Sequence, residues 1–164
     1  MSGKNLERVI RAETIVHASQ DEVWDAWTTE KGIKSFLAPE CNIELRVGGP
    51  YEIFFDPEAD LGRRGGEGVR ILALEPKKML SITWNAPPHL SEVREQWTHV
   101  TVRFEETRKR QTMVTLTHDG WGEGEMWDEA FAYFTRAWAG VVLPRLRYRF
   151  SVGAIDWNNP PKLG

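Results

Sequence analysis

The sequence is short of cysteine, of surplus basic charge and of long apolar runs, and each shortage removes a class of protein. A lone Cys41 excludes an intrachain disulfide and a cysteine-built zinc cluster, and it suits a reducing cytosol. Lys and Arg number 21 against 24 Asp and Glu, so the net charge of −3 gives no support to a nucleic-acid partner, whose binders carry a basic excess. No uncharged apolar run approaches the ~20 residues that cross a bilayer, so no membrane span is expected. The opening "MSGKNLERVIRAETIV" has charges where a secretory signal needs an apolar stretch, and a cytoplasmic location is the expectation.

Chemical motifs are equally sparse. His17, His89, His99 and His118 have no metal-like spacing, and no H-x-x-x-H or paired cysteine occurs, so neither a metal nor a cofactor is expected. There is no G-x-S-x-G nucleophile elbow and no glycine-rich phosphate loop. "VGGP" leads into a strand rather than a helix N-terminus, so it makes no anion cradle.

What is present is a globular chain. A hydrophobic fraction of 41% over 164 residues is enough for one domain with a real core, expected to span about 8–149 with an irregular tail at 150–164. Eight tryptophans exceed what a core of this size requires. "RVIRAETIVH" is β-branched and half alternating, which reads as a first strand. In "ASQDEVWDAWTTE", Ser19 and Glu22 make a capping box, and Val23, Trp24 and Trp27 share one helical face. "KGIKSFLAP" reads as a second short helix ended by Pro39.

Strands follow. In "CNIELRV", Cys41, Ile43, Leu45 and Val47 alternate with polar residues, which predicts a half-buried strand. Gly48-Gly49 predicts a turn into "PYEIFFD". "EGVRILALEP" and "KMLSITWN" are further strands, the latter with Leu80, Ile82 and Trp84 on one face. The segments Pro57–Gly66 and Ala86–Gln96 read as loops. "WTHVTVRFEE" and "QTMVTLTHD" form a last hairpin, with Val100, Val102, Phe104, Val114, Leu116 and His118 on the apolar parity. A final helix from Glu123 or Gly124 carries Met126, Trp127, Ala130, Phe131, Phe134 and Trp138 at helical steps, and Pro144 is expected to kink it.

One strand, two short helices, six strands and one long helix imply an α+β fold, an antiparallel sheet that must curl around the helix to bury both apolar faces. With its motifs, that order resembles the START-like superfamily, also called the helix-grip or birch-pollen-allergen-like fold. Within it the chain is similar to the branch named after the activator of the heat-shock-protein ATPase. The motifs are "SQDEVWDAWTTEKGIKSF", "RVGGPYEI", "GEGVRILALEPKKMLSITW", "VTLTHDG" and "AWAGVVLPRL". The loops 57–65 and 85–96 and the tail have no counterpart in the pattern, and mouth loops are where such domains differ.

The resemblance implies a curved sheet of about seven strands and a cavity between it and the long helix. Parity nominates the lining: Leu45, Tyr51, Ile53, Phe55, Ile82, Trp84, Val100, Leu116 and His118 from the sheet, with Ile43 beside them. Trp127, Phe131, Phe134 and Trp138 come from the helix. Phe54 and Phe55 compete for the inward place. Rings of this kind are either plain core or a wall for an aromatic ligand. His118 is either a ligand-binding or proton-moving group, or a histidine satisfied by a backbone carbonyl at a sheet edge. Glu67 is either a cavity-rim acid or a solvated strand start. Arg63-Arg64 read as solvated surface, and the cations of "RLRYR" suit a helix C-terminus.

Three functions follow. The first is a carrier of a small hydrophobic, aromatic or lipid-like molecule. The second is a polyketide-cyclase-like enzyme using His118 and Tyr51, with Glu67. The third is a chaperone-interacting module using the Trp157 tail or the 86–96 loop. A homodimer is left open.

Overall fold

The computed structural model describes residues 8–163. Strand β1 (Ile10–Val16) buries alternate residues and leads to Ser19, whose side chain accepts the Glu22 N–H while Glu22 reaches back to the Ser19 N–H. The capping box thus starts α1 (Gln20–Thr28) where the sequence places it. Thr29 caps α2 (Glu30–Phe36) in turn, accepting the Gly32 N–H. A Cβ on Gly32 would sit 2.3 Å from the Asp25 carbonyl, so glycine is what lets the two helices meet at this corner.

Strands β2 (Glu40–Ile43) and β3 (Tyr51–Phe54) form a hairpin. Then come β4 (Ile71–Glu75), β5 (Met79–Trp84), a short helix α3 (Ser91–Arg94), β6 (Thr98–Arg108) and β7 (Gln111–Asp119). The loop expected over 86–96 therefore contains a helical turn. The main sheet is antiparallel, in the order β1-β7-β6-β5-β4. The β2-β3 hairpin is a separate two-stranded piece tied to its far edge, with Gly48 N–H donating to Ile71 O (2.7 Å) and Tyr51 N–H to Val69 O (2.8 Å). Seven strands result, in one main sheet and one hairpin.

Leu45 corrects the sequence reading. Its alternation with Cys41 and Ile43 predicts a buried face, but β2 stops at Ile43 and the Leu45 side chain is 45% exposed, with Val47 at 65%. The turn at Gly48-Gly49 reaches back further than expected: Arg46 N–H donates to Glu44 O (2.9 Å) and Gly49 N–H to Arg46 O (2.9 Å), and these local bonds end the ladder. Phe54 and Phe55 settle simply, since Tyr51 and Ile53 face inward and Phe55 lies beyond the strand end.

The long helix runs as α4 (Glu125–Ala137), a π-helical turn (Trp138–Val142) and α5 (Leu143–Ser151). The π-helical turn ends two residues before Pro144, the position where the sequence predicts a kink. Pro144 has no N–H for the Gly140 carbonyl, and the residue before it, Leu143, bonds its N–H to Trp138 O across a five-residue step. The tail has no regular structure yet is docked: Ile155 is buried with its N–H on Ser35 O (2.9 Å), and Trp157 Nε1 donates to Lys34 O (2.6 Å).

Candidate functional site

His118 sits at the centre of the interface between sheet and helix and is fully buried. Strand β7 lies between β1 and β6, so His118 is not at a sheet edge. Its partners are side chains rather than a backbone carbonyl. Nδ1 accepts from Trp138 Nε1 (3.0 Å), and Nε2 pairs with Thr98 Oγ1 (2.7 Å), which is 3.2 Å from the Trp84 carbonyl. An indole N–H only donates, which leaves Nδ1 unprotonated and puts the proton on Nε2. Burial, and after it the neighbouring His99, hold this imidazole well below its usual pKa, so it is neutral.

Rings close around it. Trp121 lies 4.2 Å from the His118 ring centre and Phe134 5.0 Å; Phe134 stacks on Trp138 at 6.0 Å, and Trp138 meets Trp84 at 5.4 Å. Trp127 and Phe131 abut Trp121, and a Cβ on Gly122 would strike the Trp127 ring at 2.2 Å. The middle of the fold is therefore solid aromatic core.

A cavity of about 380 Å³ remains at one end of this core and opens to solvent on one side. Its floor is Trp84 and Trp138. The helix supplies Tyr133, Phe134, Ala137, Val141, Val142 and Arg145. The facing wall is Phe55 and Asp56, then Arg63 and Gly65 of the 57–65 loop, then Asn85 to Pro88, with Arg94 behind. The π-helical turn thus contributes Trp138, Val141 and Val142 to the wall. A wider groove of about 850 Å³ between α1, α2 and the end of α5 is rimmed by Glu22, Glu30, Lys31 and Arg149, and lies on the outer surface.

Of the nominated lining residues, the structure brings Phe55, Trp84, Phe134 and Trp138 together around this cavity. Tyr51, Ile53, Ile82, Val100, Leu116, His118 and Trp127 are buried in the core and do not border it, His118 and Trp127 being packed against other rings. Phe131 is half-buried with the Arg8 guanidinium 5.1 Å over its ring, and Leu45 is exposed.

The groups named for a cyclase are spent on structure. The Tyr51 hydroxyl is buried, donates to Trp27 O (2.6 Å) and is held well above its usual pKa by burial. Asp119 pairs across the strands with His99 Nδ1 (2.9 Å) on the outer face, not with His118. Glu67 is neither rim acid nor solvated: it accepts N–H bonds from Gly62, Arg64 and Gly65, and Arg94 Nη2 approaches it at 3.4 Å. Arg94 also donates to the carbonyls of Gly62 (3.0 Å), Gly65 (2.8 Å) and Ala86, clamping the 57–65 and 85–96 loops together at the mouth. Sequence reasoning misses this clamp, because a pair 27 positions apart in two loops leaves no periodic trace. Among the described residues no group of three or more His, Cys, Asp or Glu is placed to hold a metal ion, and no helix is long and apolar enough to cross a membrane.

Comparison with known proteins agrees with this architecture. The solution structure of the Aha1 dimer from Colwellia psychrerythraea superposes with a TM-score of 0.67 at 23% identity, covering 89% of this chain and 98% of that one. CalU16 from Micromonospora echinospora gives 0.65 at 22%, covering 96% and 86%. An HSP90 activator from Plasmodium falciparum gives 0.63 at 14%, covering 93% and 98%. At such identities the likeness is one of fold. No curated protein matches the chain significantly. The family model described as activator of Hsp90 ATPase homolog 1-like protein matches residues 17–146, most of the chain, and with the helix-grip architecture around it the chain belongs to that family.

Proposed function

We propose that this protein holds a small hydrophobic, ring-bearing molecule in the cavity between the Trp84 end of the sheet and the C-terminal helix. The observation that carries the reading is the cavity itself: about 380 Å³, walled by Phe55, Trp84, Tyr133, Phe134, Trp138 and Val141, with few polar groups. Small-molecule sites are concave and mainly apolar, of roughly 300–1,000 Å³, so the occupant is a molecule of a few rings rather than a long-chain lipid. Burial raises the Cys41 thiol to about 11, which keeps it unreactive.

Filling the space tests the reading. Val141 borders the cavity yet is 43% exposed, so Val141→Trp places an indole in the opening with little disturbance of the core. Titration of the wild type with naphthalene derivatives, followed by tryptophan fluorescence, should show saturable quenching. The variant should bind at least about tenfold more weakly, ~1.4 kcal/mol, at unchanged melting temperature. Equal affinity in both proteins would place the binding elsewhere.

A second reading, docking to a chaperone or to another copy of the chain, draws on the family description and on exposed Leu45, Val47 and Leu61. It does not draw on the tail, whose Trp157 is half-buried and bonded to Lys34. Stimulation of an Hsp90 ATPase by the wild type but not by a Leu45→Ser, Val47→Ser, Leu61→Ser variant would support it.

A further inference from the structure

The three arginines of "RLRYR" do different things. Arg147 Nη1 donates to Thr14 Oγ1 (2.7 Å) on β1, and Arg149 lies 5.0 Å from the Phe150 ring. Only Arg149 is in the last turn of the helix, where the dipole favours a cation. Arg145 lies farther back, on the face that carries Val141 and Val142, and its side chain borders the cavity. It is half-buried. Among the described residues its guanidinium meets the face of Trp157 at 5.2 Å and no carboxylate. Removal from water pushes its pKa below the usual value, with no acidic neighbour opposing the shift.

The other charges at the cavity are accounted for. Arg94 is bonded to Glu67 and to three carbonyls. Asp56 and Arg63 stand at the outer mouth, both exposed and opposite in sign, so they contribute little net charge. Among the described residues, one half-buried cation with no carboxylate partner remains beside the apolar hollow.

We infer that the occupant of this cavity is an amphipathic organic acid, its rings lying between Trp84, Phe134 and Trp138 and its carboxylate paired with Arg145. The inference rests on the cavity reading above and adds the head group. A guanidinium recognises a carboxylate by two parallel N–H···O bonds. In a partly dry site that charge-assisted contact outweighs a neutral hydrogen bond. Trp157, held on Lys34 O and outside the cavity lining, packs its ring against the guanidinium. The Asp56 carboxylate makes a cationic head group the alternative outcome of the test.

Three probes with one ring system separate the cases: naphthoic acid, naphthamide and naphthylmethylamine, titrated against the intact protein. The acid should bind about tenfold tighter than the amide, and the amine most weakly. In Arg145→Gln the acid should fall to the level of the amide while the amide is unaffected; Arg145→Lys should keep part of the preference. Raising salt should weaken the acid alone. The apparent pKa of the bound acid should drop in the wild type and not in Arg145→Gln, a readout that loss of packing against Trp157 would not move. Equal affinity for acid and amide, a preference for the amine, or an acid preference that survives Arg145→Gln overturns the inference and leaves the cavity reading standing. Absence of binding by all three probes overturns both.

Discussion

A neutral histidine buried between two side-chain partners makes the molecule acid-sensitive at one identifiable place. His118 is held below its ordinary pKa by burial, so the unfolded chain takes up a proton that the folded one resists. Its contribution is intact above the unfolded value of roughly 6.5 and is lost as pH falls below it, with a slope of up to about 1.4 kcal/mol per pH unit until the lower folded value is reached. Protonation would also set an N–H on Nδ1 against the Trp138 indole N–H. Denaturant melts at pH 7.5 and pH 5 should show a larger acid loss for the wild type than for His118→Gln, which does not titrate; parallel losses would remove His118 from the account. The sequence places His118 on the apolar parity but not between Thr98 and Trp138, because alternation reports which face a residue is on and not which partners meet it there. Leu45 is the reverse case, where correct alternation is cut short by local hydrogen bonds of the turn ahead of it.

Among the elements, those with a period or a cap are legible in the sequence, and those built by meeting loops are not. Ser19 with Glu22, the Leu80–Ile82–Trp84 face and the helix stripe all stand where patterning puts them. The cavity wall divides along the same line: Trp84, Phe134 and Trp138 follow from periodicity, whereas Asp56, Arg63, Asn85 and Arg94 arrive through loops. Arg94 is the element-scale test. Its side chain is 11% exposed and its donors hold the Gly62, Gly65 and Ala86 carbonyls. Arg94→Ala should cost about 1–3 kcal/mol, because the Gly62 and Ala86 carbonyls lose their donor and Glu67 loses the cation beside its three N–H bonds. It should also speed amide exchange within 57–65 and 86–96 while β6 and β7 keep their protection. Exchange unchanged in those two loops would show that they are held by other contacts.

At the scale of the whole molecule, the C-terminal tail ties the helical pair near the start of the chain to the closing helix. The tail after α5 returns to α2, placing Ile155 in contact with the interior and Trp157 against Lys34 and Arg145. Truncation after Gly153 should therefore lower stability by about 2–4 kcal/mol, the scale of burying an Ile and part of an indole. A urea melt with an unchanged midpoint would mean that the tail rests on the surface without holding it. Between these anchors the long helix carries its π-helical turn, and that turn sets a phase. One residue advances an α-helix by about 100°, so the wide turn offsets the angular setting of everything after it. Leu146 reaches the core and Arg145 reaches the hollow only with that offset in place. The stretch Trp138–Val142 is thus a dial between two halves of one rod: shortening it by a single residue would leave both halves helical and point the second at the wrong neighbours.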